Sequence, residues 1–123
     1  MYIRRIALWA ACSGVAFFAL PGCGGSSSSP VAPTPSADVT VSIQGQQGNQ
    51  SYAPNPTTIR AGQTVAWRNA DSSAHTATGD IVGFNTGVLQ PGGTSSPIAM
   101  ATAGTFTYHC GIHPNMTGTI IVQ

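Results

Sequence analysis

The chain has 123 residues, of which 6% are charged, and four cationic residues against three aspartates leave a formal net charge of +1. There is no lysine and no glutamate, and Arg4 and Arg5 sit at the N-terminus, so the rest carries only Arg60 and Arg68 against Asp38, Asp71 and Asp80. That balance excludes a basic patch for nucleic acid and any strong field to steer a charged partner.

Arg4 and Arg5 precede residues 6–20, which are apolar except for Ser13. This is the charged start and apolar run of a secretory signal, shorter than the ~20 apolar residues that span a membrane. The run ends in "LPGC", residues 20–23, which resembles a bacterial lipobox. The resemblance implies that residues 1–22 are a lipoprotein signal and that Cys23 carries the lipid. Residues 24–37, "GGSSSSPVAPTPSA", follow without a charge. The Gly/Ser half is flexible and the Pro-rich half stiffer and extended, as in a linker. A folded domain is expected over 38–123, lipid-anchored to a membrane in the periplasm or at the cell surface.

The three cysteines are Cys12, Cys23 and Cys110. The domain therefore keeps one thiol and cannot form an internal disulfide, although exported domains usually use cysteines in pairs. A metal bond would protect such a thiol.

Within the domain the hydrophobic period is two. "VTVSI" puts Val39, Val41 and Ile43 on one face, "TVAWRN" puts Val65, Trp67 and Asn69 together, and "TFTYHC" aligns Phe106, Tyr108 and Cys110. Such alternation marks half-buried strands. Strands are predicted near 38–44, 57–60, 63–69, 74–78, 94–100, 104–110 and 117–122, with loops and one short strand over 79–92. Seven or eight short strands separated by Gly and Pro breakers predict an all-β, Greek-key antiparallel sandwich. Trp67 and Tyr108 read as core residues, and Asp71 and Asp80 as solvated loop charges.

The segment "TYHCGIHPNM" places Cys110, His113 and Met116 three residues apart between two strands. Gly111 permits a tight bend and Pro114 stiffens the loop. A fourth ligand should come from another loop at the same end, and His75, just after the Trp67 strand, is positioned to supply it. His109 has the opposite strand parity from Cys110 and should point away. One thiolate, two imidazoles and a thioether form the donor set of a trigonal copper site with a weak axial ligand. Zinc suits the same residues, but the thioether favours copper. A rigid site midway between the preferences of Cu(I) and Cu(II) lets an electron move with little rearrangement.

"YHCGIHPNM" resembles the amicyanin–plastocyanin branch of the cupredoxins, whose short form spaces its ligands Cys-x₂-His-x₂-Met. "YAPNPTTIRAGQTVAWRNADSSAHT" and "GVLQPGGTSSPIAMATAGTFTYHC" are similar to the same family, so the likeness covers nearly the whole domain. It implies one type 1 copper ion with His75, Cys110 and His113 equatorial and Met116 axial. Around the ligands it places Asn69, at the end of the Val-x-Trp strand, and Thr76, where the family often has Asn. It further implies that electrons leave through His113 within an apolar patch, for which Ile112, Pro114, Phe84, Leu89 and Pro91 are candidates. The expected function is a monomeric, membrane-tethered electron carrier serving redox proteins such as a cytochrome or an oxidoreductase. The alternative is a copper-binding or copper-delivery protein without electron transfer. Three histidines cannot furnish the additional copper of a multicopper oxidase or nitrite reductase, so no enzyme is expected.

Overall fold

Eight strands fall where apolar and polar residues alternate and stop where Gly and Pro accumulate. The structure, a computed structural model, describes residues 35–81 and 83–123. The strands are β1 (Val39–Ile43), β2 (Tyr52–Ala53), β3 (Thr57–Ile59), β4 (Thr64–Asn69), β5 (Thr78–Gly79), β6 (Ile98–Ala99), β7 (Gly104–His109) and β8 (Thr117–Val122). A single 3₁₀ turn, Gly48–Gln50, lies between β1 and β2. The predicted signal, Cys23 and all but the last residues of the linker lie outside the described residues.

The strands form two four-stranded sheets, ordered β2-β1-β4-β6 and β3-β8-β7-β5. The antiparallel expectation holds for β1–β2, β4–β6, β5–β7 and β7–β8, but β1 pairs parallel with β4, and β3 parallel with β8. Both sheets are therefore mixed. Alternation reports which face a side chain occupies, not the direction of the neighbouring strand. Parallel partners need a crossover, and here the chain crosses between sheets at β3 before returning as β4.

Two predicted strands shrink. The segment near 74–78 yields only β5 and a single bridge between His75 and Leu89, while that near 94–100 yields β6 and a bridge from Thr94 to Arg68. The short strand β2 was not expected. Its loop to β3 is tied down by Asn55, whose side chain donates to the Asn49 carbonyl (2.6 Å) and accepts from the Thr119 N–H (2.9 Å).

The inner faces carry Val41, Ile43, Tyr52, Ile59, Val65, Trp67, Tyr108, Ile120 and Val122, all buried. An aromatic group fills the middle. Phe84 stacks on Trp67 with centroids 5.3 Å apart, and Tyr108 meets the edges of Trp67 (5.5 Å) and Tyr52 (4.8 Å). Tyr108 fits because its cross-strand partner is Gly118. A Cβ on Gly118 would lie 2.2 Å from the Tyr108 ring. The ring thus lies flat across β8, and its burial pushes the phenol up to about 12.

Gly118→Ala is expected to cost about 3 kcal/mol or more of stability, at the upper end for overpacking, because the ring is enclosed and cannot withdraw. Urea unfolding of the metal-free protein measures it.

Candidate metal centre

Two loops meet at one end of the sandwich, one leaving β4 and the other joining β7 to β8. Asn69, the last residue of β4, organises the first. Its amide donates to the carbonyls of Ser73 (2.7 Å) and Leu89 (2.8 Å), and its oxygen accepts the Asp71 N–H (2.9 Å). His75 is held by reciprocal backbone bonds with Leu89, 3.1 and 2.8 Å long. Its ring is wholly buried, with Nε2 2.8 Å from an Asp71 carboxylate oxygen. The hydrogen bond from the His75 ring, and next that from the Ser72 N–H, hold the Asp71 carboxyl below its ordinary value.

The second loop closes on itself. The Cys110 N–H donates to the Met116 carbonyl (3.0 Å), and the Met116 N–H to the His113 carbonyl (2.9 Å). Thr76 fastens the loops together: its hydroxyl accepts the Gly111 N–H at 2.7 Å, and its own N–H donates to the Cys110 sulfur at 3.3 Å. The Tyr52 hydroxyl donates to the Thr76 carbonyl from below (2.7 Å).

Cys110 Sγ stands 3.9 Å from His75 Nδ1 and 4.0 Å from His113 Nδ1, and the two nitrogens are 3.2 Å apart. Cys110, His75 and Met116 are fully buried, and His113 is half-buried. Burial pushes the Cys110 thiol up. The N–H groups of Thr76 and His113, the His75 ring and the Ile112 N–H outweigh it and bring the thiol down to about 6. At neutral pH the site therefore favours a thiolate, with Nδ1 of both His75 and His113 turned toward it. A thiolate and two ring nitrogens facing one point attract a proton or a cation between them. Bonds of about 2.1 Å to imidazole and about 2.3 Å to thiolate would span all three separations, so His75, Cys110 and His113 could hold one ion together. The residues fit a metal ion.

His75, Cys110 and His113 are thus brought together, and Met116 is buried on the same loop. Asn69 and Thr76 both brace the ligand loops. His109 is turned away, as its parity required, and pairs with Asp80 at the sheet edge. Asp71 corrects the expectation of a solvated charge, since it sits against a ligand ring. The one trace of this in the sequence is a carboxylate four residues before His75, which outside a helix fixes no direction. The expected patch is also corrected. Ile112, Pro114 and Pro91 are exposed, but Phe84 (7% exposed) stacks on Trp67 and Leu89 (6%) pairs with His75, so both belong to the core.

A mononuclear site of this donor set, at one end of a two-sheet sandwich, defines a small class of metalloproteins. The family model for cupredoxin-like domains matches residues 8–122, and the chain belongs to the cupredoxins. It is 34% identical over 98 residues to plastocyanin of Scenedesmus fuscus, covering 70% of this chain and all of the plastocyanin. It is 31% identical over 74 residues to amicyanin of Paracoccus denitrificans, covering 53% of each. Among solved structures, a purple cupredoxin from Nitrosopumilus maritimus superposes with a TM-score of 0.62 at 26% identity, over 70% of this chain and all of that one. A copper-containing nitrite reductase from Thermus scotoductus gives a TM-score of 0.60 at 31% identity, but only 22% of its length is covered. His75, Cys110, His113 and Met116 are positioned as a copper site.

Two outcomes follow from this geometry. The folded thiol pKa lies below its ordinary value of 9.0, so its contribution to stability is full above that value and is lost as pH falls from about 9 through about 6. In the metal-free protein, thiolate absorbance should titrate near 6, and Cys110→Ser should flatten that part of the stability profile. Thr76→Val removes the hydroxyl that accepts the Gly111 N–H and should cost about 1–2 kcal/mol, read by denaturant unfolding, whereas Thr76→Ser should retain most of it.

Proposed function

We propose that this protein is a type 1 copper electron carrier. The observation that carries the reading is the convergence of one thiolate and two imidazole nitrogens within 4.0 Å of one another, on loops held by backbone and Thr76 hydrogen bonds. Zinc favours a closed tetrahedron, whereas a trigonal His₂Cys set with a buried methionine on the same loop suits copper. Bound copper would supply the one-electron Cu(I)/Cu(II) couple.

The chain's own residues do the rest. The closed 110–116 loop keeps the donors in one arrangement whatever the charge at their centre. Cys110 and His75 are shut off from water, so His113, the half-exposed ligand, is the route to the surface. The docking patch is redrawn as Ile112 (46% exposed) and Pro114, which flank it in the chain, with Pro91 and with Val88 (59%), which precedes the residue paired with His75. This uncharged rim suits brief docking with a redox protein such as a cytochrome or an oxidoreductase. The buried thiolate argues against the rival role in copper delivery, because a receiving ligand would have to reach a sulfur with no exposed surface.

The same reading takes residues 1–22 as a lipoprotein signal, Cys23 as the lipidated residue and 24–37 as the tether of a monomeric domain. Anchoring in the periplasm or at the cell surface would raise the carrier's concentration near membrane-bound partners. Metabolic labelling with a fatty acid, lost in Cys23→Ala, tests it.

Loaded with Cu(II), the protein should show an intense visible thiolate-to-copper band that Cys110→Ser abolishes. Met116→Leu should keep the colour and shift the reduction potential, because the axial bond is weak. A band that survived Cys110→Ser would overturn the ligand assignment. Prompt loss of copper to a chelator during redox cycling would favour delivery instead.

A further inference from the structure

Asp71 occupies a seat built from two elements. Its N–H is held by Asn69 at the end of β4, 2.9 Å away. Its carboxylate lies over Gly45, in the turn after β1, where a Cβ would stand 3.4 Å from the carboxyl carbon and one oxygen. Gly45 also has φ +102°, a conformation that favours glycine. From this seat Asp71 Oδ2 reaches His75 Nε2 at 2.8 Å, while Nδ1 of the same buried ring faces Cys110 and His113.

We propose that Asp71 is a positioning residue for His75, and that its charge biases the bound metal toward the oxidised state. The inference rests on the copper reading above. By accepting the ring proton, Asp71 commits that proton to Nε2 and leaves Nδ1 as the donor. It also fixes the ring's orientation and raises its basicity. A more basic imidazole with a negative charge behind it stabilises Cu(II) more than Cu(I), so the reduction potential falls. Charge and hydrogen bond are separable. Asn in this seat keeps an acceptor oxygen without the charge, and Ala removes both.

The experiment compares wild type, Asp71→Asn, Asp71→Ala and Asp38→Asn in the full chain. Asp38 is a control because it lies before β1, at the opposite end from the site. The potential should rise in the order wild type, Asn, Ala, with Asp38→Asn matching wild type. Cu(II) affinity should weaken about 10–100-fold in Asp71→Ala, and Cu(I) affinity less. In the metal-free protein, ¹⁵N NMR should show His75 as the Nε2–H tautomer with a slowly exchanging proton, which Asp71→Ala releases. An unchanged potential in both Asp71 variants would overturn the charge effect. A wild-type ring protonated at Nδ1 would overturn the positioning role. Should wild type take up no copper, the copper reading fails, and the metal-free tautomer still decides what Asp71 does.

Discussion

The hydroxyl and N–H of Thr76 hold together the two loops that carry the donors. A thiolate and the imidazole nitrogens lie within 4.8 Å of one another, and the contacts among them are the long ones, 3.9 and 4.0 Å to sulfur. The closure comes from the frame: Gly111 to the Thr76 hydroxyl, the Thr76 N–H to sulfur, Cys110 and Met116 across their own loop, Asn69 gathering the turn before His75. Each bond contributes about 1 kcal/mol net, a little more where the acceptor is charged. Together they hold the two donor loops against each other. A site built this way resists change when the charge at its centre changes, which is the property a fast electron carrier needs.

Much of this was legible in the residues because strand parity is unforgiving. Moving one position along β7 turns Cys110 inward and His109 outward, and the structure obeys that alternation. The ligand loop was legible because Cys110, His113 and Met116 share one short connection. Less legible was anything that depends on which strand neighbours which. The parallel pairings of β1 with β4 and β3 with β8 leave no mark in a period of two. Phe84 and Leu89 sit in a stretch without alternation, where an apolar residue can line a surface or dive beneath one. Stacking on Trp67 decides for Phe84, and backbone pairing with His75 for Leu89. Asp71 reads as a solvated charge for a related reason: its direction is set by Asn69, two residues earlier, and by Gly45, brought in from the turn after β1.

The core and the site are linked through Tyr52 and Tyr108. Tyr52 packs against Tyr108 with its ring and donates to the Thr76 carbonyl with its hydroxyl. The same side chain thus fills the sandwich and sets the height of the strap that grips Cys110. Gly118 belongs to this chain of contacts, since only an empty position on β8 lets Tyr108 lie where Tyr52 can meet it.

The parallel pairing of β3 with β8 carries a consequence in time. Residues Thr57–Ile59 find their partners only at Ile120–Val122, and the Gln123 N–H completes the run by donating to the Ile59 carbonyl at 2.9 Å. A chain delivered from its N-terminus therefore cannot seal this sheet until Ile120–Val122 arrive. Until then Cys110 has neither β8 behind it nor a closed loop around it. Pairing of β8 with β7 and β3 is therefore what shelters the sulfur, and it depends on residues that follow Cys110 in the chain.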